Sequence, residues 1–139
     1  MRVLIVEAPY YKHIAEKLAA SAVAELDANG VAYDRLAVPG ALEIPQVINA
    51  AVMQKAGHYD GAVALGCVIR GETTHYESVC ENTNHWLMQV AIGANLPLGN
   101  AVLTVENEAQ ALARTDKGAG AVRACLRLME IQRDLAAKS

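Results

Sequence analysis

The stretch GCVIRGETTHYE, residues 66–77, crowds a cation, an anion, two hydroxyls and an imidazole behind an apolar run. Arg70, Glu72, Thr73, Thr74 and His75 fall within six positions. Thr74 followed by Glu77 fits the capping box S/T-x-x-E, so Thr74 is expected to open a helix with His75 in its first turn. Unpaired N–H groups and the positive end of the helix dipole favour an anion there, phosphate above all. The same field favours neutral imidazole over imidazolium, and a neutral histidine beside an anion site suits proton transfer. Gly71 lets backbone approach a ligand closely, and Thr73 can donate its hydroxyl. The same pattern also describes an ordinary Thr-capped helix carrying a solvated histidine, and from these residues alone both readings stand.

The other histidines offer less. His13 and His58 read as surface residues, and His85 sits mid-helix beside Trp86. None has metal-ligand spacing, so no metal is assigned. The cysteines, Cys67, Cys80 and Cys125, are odd in number, lack a C-x-x-C spacing and lie in apolar settings. They read as reduced core thiols of a cytoplasmic protein, with Cys67 lining a site without reacting.

Elements that could position the cluster are readable from periodicity. Residues 2–7, RVLIVE, form a short apolar strand, not a signal peptide. Ile14, Leu18, Ala22 and Leu26 then share one helix face, ended by Asn29-Gly30. Residues 31–38 read as a second strand. A helix begins near Glu43, because Pro45 is tolerated only in a first turn, and Gly57 ends it. Residues 59–68 are the third strand. Residues 74–93 form a long helix with Val79, Thr83, Trp86, Leu87 and Val90 facing inward. Residues 97–105 are the fourth strand, Asn107 opens a short helix, and residues 120–137 form the last one.

Strands joined by helices of this length must run parallel, with right-handed crossovers and helices on both faces. Continuous apolar runs such as GAVALGCVI suit strands covered on both sides. The expectation is a single α/β domain over residues 1–139, a three-layer α/β/α sandwich. The length allows one domain with a real core. A hydrophobic fraction of 53% and a charged fraction of 19% argue against disorder. With 12 basic and 15 acidic residues, net −3, no basic footprint for nucleic acid or an anionic membrane exists. No window approaches the roughly 18 apolar residues of a membrane span. Phe is absent, so a thin aliphatic core makes burial at subunit contacts a plausible supplement. The last helix supports this. Val122, Cys125, Leu126 and Met129 form one apolar face, and Leu128, Ile131 and Leu135 form another.

In such a sheet, ligands bind where strands end and helices begin. Four loops share that edge: residues 7–11, 39–43, 70–75 and 105–107. Here the residues become recognisable. VPGALEIP (38–45), ALGCVIRGETTHYE (64–77) and LTVENEAQALAR (103–114) resemble the 6,7-dimethyl-8-ribityllumazine synthase family, in order and over nearly the whole chain.

The resemblance implies a four-stranded parallel sheet of flavodoxin-like order, 2-1-3-4. It implies condensation of 5-amino-6-(D-ribitylamino)uracil with 3,4-dihydroxy-2-butanone 4-phosphate in riboflavin biosynthesis, without cofactor or metal. Imine formation, phosphate elimination, ring closure and dehydration each move protons. It also implies homopentamers with active sites between subunits. By position, Tyr10 matches the aromatic that stacks on the pyrimidine. Ala41, Leu42 and Glu43 match the ribityl-binding segment. Cys67, Val68 and Ile69 match the segment holding the pyrimidine through backbone groups. Glu72 and Thr73 match the butanone phosphate contacts, and His75 the acid/base. From the adjacent subunit, Asn100 matches a position facing the pyrimidine, Arg114 the phosphate-binding arginine, and Lys117 a nearby family lysine.

The sequence also departs from the family pattern. Pro9 stands where many members carry arginine, Asn100 where many carry phenylalanine, and Ala113 where glutamate is frequent. The loop between Arg114 and Lys117 is shorter than usual. The chain begins at its first core strand, without the segment typical of shell-forming members, and this favours a free pentamer or a dimer of pentamers. The alternative within the family is a paralogue that binds flavin or lumazine with little turnover.

Overall fold

The computed structural model describes residues 1–54 and 58–139. The apolar runs become β1 (Arg2–Glu7), β2 (Ala32–Ala37), β3 (Gly61–Ile69) and β4 (Leu98–Val105). All pair in parallel, in the order β2-β1-β3-β4. The helices are α1 (Lys12–Ala28), α2 (Ile44–Met53), α3 (His75–Gly93), α4 (Glu108–Leu112) and α5 (Lys117–Ala137). A single 3-10 turn, Ala41–Glu43, leads into α2, with Pro45 in the first turn where its missing N–H costs nothing. Gly57, expected to end that helix, lies outside the described residues.

Alternation along each strand sends successive side chains to opposite faces. Val3, Ile5, Val63, Leu65, Ala101 and Leu103 meet Ile14 and Leu18 of α1 and Val122 and Cys125 of α5. Leu4, Val6, Ala62, Ala64 and Val102 meet Ile44 and Ile48 of α2 and Val79 and Leu87 of α3. The three layers expected from the sequence are therefore present. α5 lies so close to the sheet that a Cβ on Gly99 would stand 1.9 Å from the Ala121 carbonyl oxygen. One on Gly118 would stand 2.2 Å from that of Leu18, so both contacts require glycine.

Three expectations need correction. Trp86 does not face inward: it is 54% exposed, because the sheet covers only the stripe Val79, Thr83, Leu87. The last helix begins three residues earlier than expected, at Lys117. Its second apolar flank, Leu128, Ile131 and Leu135, is exposed. The third correction concerns the start of α3 and belongs with the site. Among the described residues no helix is long and apolar enough to cross a membrane.

Candidate active site

The strand ends set the site. At the C-terminal edge of the sheet, Glu7 closes β1 with a two-pronged ion pair to Arg35 of β2, Oε2 to Nε at 2.7 Å and Oε1 to the terminal nitrogen at 2.9 Å. Val38 N donates to the Glu7 carbonyl at 2.8 Å, and Ala8 N to that of Leu65 at 2.9 Å. These bonds hold three strand–helix loops beside one another. Between them opens a cleft of about 430 Å³.

Its walls are Tyr10 from the first loop, Ala41, Leu42 and Glu43 from the second, Cys67, Val68 and Ile69 from the end of β3, and Thr73 and His75 from the third. Tyr10 is 73% exposed and meets Tyr11 edge-on, with ring centroids 5.0 Å apart, so one ring face is free for a flat partner. Burial pushes the Cys67 thiol up to about 11. A thiol held up there stays protonated at physiological pH, which disfavours nucleophilic chemistry at the cleft wall. Sequence reasoning missed Tyr11 and Tyr76, which also line the cleft. Each is the immediate neighbour of a residue it named, and that adjacency was the available signal.

Thr74 takes the N-cap position of α3, as expected, but the capping box does not form. Its backbone is near-helical (φ −73°, ψ 1°), and its side chain makes no capping hydrogen bond among the described residues. Thr73 Oγ1 instead accepts from His75 N at 3.3 Å. Glu77, the other half of the box, is taken by Arg70, and a charge-assisted pair outcompetes a neutral N–H. That pair holds the Glu77 carboxyl below its ordinary range. Thr73 thus takes the His75 N–H, Thr74 consumes none of the other N–H groups at the helix start, and the positive end of the helix still favours an anion. The reciprocal cap appears at α4 instead. Asn107 accepts from Gln110 N at 2.9 Å while Gln110 Oε1 accepts from Glu106 N at 2.8 Å.

Glu72, Asn100, Arg114 and Lys117 do not line this cleft. Glu72 lies exposed on the third loop. Asn100 sits on β4, the edge strand, opposite Ala64. Arg114 lies at the α4–α5 elbow, one guanidinium nitrogen donating to the Gln110 carbonyl at 2.9 Å, and Lys117 is the first residue of α5.

The geometry is a strand-end cleft with an aromatic face, a backbone-rich wall, a helix N-terminus and one histidine. The family model described as 6,7-dimethyl-8-ribityllumazine synthase matches residues 1–133. The chain belongs to the 6,7-dimethyl-8-ribityllumazine synthase family. Curated members agree over most of their length. The lumazine synthase of Paramagnetospirillum magneticum is 47% identical over 148 residues, which cover 99% of each chain. That of Bartonella bacilliformis is 53% identical over 115 residues, 83% of this chain and 76% of its own. That of Methylorubrum populi is 49% identical over 142 residues, 95% and 83%. In lumazine synthase terms, every loop of the VPGALEIP and GCVIRGETTH motifs reaches the cleft, and the LTVENEAQALAR motif leads away from it.

Proposed function

We propose that this chain carries out its family's reaction in its own cleft. It condenses 5-amino-6-(D-ribitylamino)uracil with 3,4-dihydroxy-2-butanone 4-phosphate and releases phosphate and water, in the riboflavin pathway of the cytoplasm. The observation that carries the reading is the opening of His75, in the first turn of α3, onto the same cleft as Tyr10 and the 41–43 turn.

The pyrimidine ring lies against Tyr10 and the strand end at Cys67, Val68 and Ile69, where backbone groups can read its edge. The ribityl chain runs along Ala41, Leu42 and Glu43. The butanone phosphate sits at Glu72, Thr73 and the amides of α3. Attack of the pyrimidine's amine on the ketone gives an imine and water. Loss of a proton beside the imine expels phosphate, and the second amine then closes the ring with loss of water. His75 moves these protons, while the helix terminus stabilises the departing phosphate.

One chain's cleft lacks a cationic side chain for that phosphate among the residues lining it. A neighbour in a homopentamer completes the site by lending Arg114, Lys117 and Asn100. Arg114 offers a two-pronged partner for phosphate. Two exposed apolar surfaces support such packing: the groove of about 830 Å³ between α2 and α3 beside Trp86, and the outer flank of α5. Mixing the two substrates with the purified protein and following lumazine absorbance tests the assignment. Appearance of lumazine supports it, and its absence removes it.

A further inference from the structure

Arg70 belongs to the polar cluster by sequence, yet it does not line the cleft. Its Nε donates to Glu106 Oε2 at 2.7 Å, and a terminal nitrogen donates to Glu77 Oε1. The guanidinium carbon lies 4.4 Å from the centre of the Tyr76 ring. Its own N–H donates to the Val105 carbonyl at 2.9 Å, closing the β3–β4 ladder. One planar cation therefore joins the end of β3, the first turn of α3 and the segment before α4. Within the 70–75 loop only the long Thr73–His75 bond ties the start of α3 among the described residues, since Thr74 makes no capping bond there, whereas Asn107 and Gln110 already hold the segment before α4.

We propose that Arg70 is a positioning residue: clamped between Glu77 and Glu106 and stacked on Tyr76, it fixes the 70–75 loop so that His75 meets the cleft. It rests on the reading of His75 as the proton-transfer group. Tyr76 and Glu77 directly follow His75 on the same helical turn, so holding them sets the direction of the imidazole. Arginine is required because a lysine ammonium, a point donor, cannot serve two carboxylates and an aromatic face in one plane. Displacement of a reacting group by about 1 Å costs on the order of 10²-fold in rate, so a partial loosening should cost about tenfold.

The test is a double-mutant cycle with the full chain and both substrates. Arg70→Met should lower kcat about tenfold while both KM values stay within about twofold, and Glu106→Gln should shift kcat the same way by less. On a His75→Ala background, Arg70→Met should add no more than about twofold, because the group it aims is gone. A tenfold loss persisting on that background overturns the proposal. So does a raised KM for the butanone phosphate with kcat preserved, which would make Arg70 a substrate contact. If Arg70→Met does not fold, wild-type kcat in both Arg70→Lys and Glu106→Gln overturns it equally. A readout free of turnover separates this inference from the reaction assignment. The imidazole NMR signals of His75 should shift or broaden in Glu106→Gln while those of His13 stay fixed. Unchanged His75 signals contradict the clamp even if the wild-type protein makes lumazine, and wild-type failure to make lumazine contradicts only the reaction.

Discussion

Asn84 on α3 holds the side chain of Asn100 on β4. Asn100 Nδ2 donates to Asn84 Oδ1 at 2.9 Å, and Asn100 Oδ1 accepts from Val102 N at 2.9 Å. The amide is thereby fixed, with one N–H left to offer outward from the edge strand. If Asn100 faces a neighbour's pyrimidine, that single donor is aimed by Asn84. Asn84→Ala should then raise KM for the pyrimidine several-fold, consistent with the roughly 0.5–1.5 kcal/mol of one hydrogen bond, and leave KM for the butanone phosphate unchanged. Steady-state kinetics with each substrate varied in turn measures this. Equal changes in both constants would detach Asn100 from the pyrimidine.

His75→Ala should slow lumazine formation about a hundredfold or more, within the range of about 10²–10⁴ expected of positioned acid/base groups. The side chain is exposed, so the fold should be unaffected. Thermal unfolding and sedimentation should match wild type. An unchanged rate would remove the acid/base role.

Gly99→Ala should destabilise the protein by more than the roughly 1–3 kcal/mol of ordinary overpacking. The new methyl would meet the Ala121 carbonyl oxygen, which is backbone and cannot swing aside. A melting temperature close to wild type would show that α5 shifts without cost.

The buried Cys125 thiol and the half-buried Cys67 thiol predict an alkaline limb in stability. Burial pushes Cys125 up to about 12 and Cys67 up to about 11, against an ordinary value of 9.0. Between these values the unfolded chain loses thiol protons that the folded chain retains, so unfolding gains free energy. The contribution is whole below pH 9 and falls as the pH rises toward 11 and 12. Denaturant midpoints should decline across that window, and Cys125→Ala should flatten the decline. An identical slope in that variant would contradict the assignment.

Much of this arrangement was legible in the sequence, for physical reasons that can be named. Pro45 fixed the start of α2, because its ring excludes an interior position. GAVALGCVI announced a strand covered on both faces. The loops after β1, β2 and β3 could be placed at one edge because parallel topology leaves them nowhere else. Spacing misled where a competing interaction intervened. Thr74 and Glu77 look like a box, but Arg70 claims Glu77, and the contest involves Glu106, 36 residues away from Arg70. Trp86 shares helical phase with buried neighbours, yet the sheet beneath α3 is narrower than its apolar stripe. Asn84 carried no signal at all, since its partner lies on another element.

On the proposed reading, one active site draws His75 from one chain and Arg114 from the next. Co-expressing His75→Ala and Arg114→Ala chains tests it directly. Each variant alone should be nearly inactive. In random equimolar rings, one half times one half, or about a quarter, of the contacts join an intact His75 to an intact Arg114. Co-expressed chains should therefore recover about a quarter of wild-type activity per site. Activity that stays at the mean of the two single variants would contradict it.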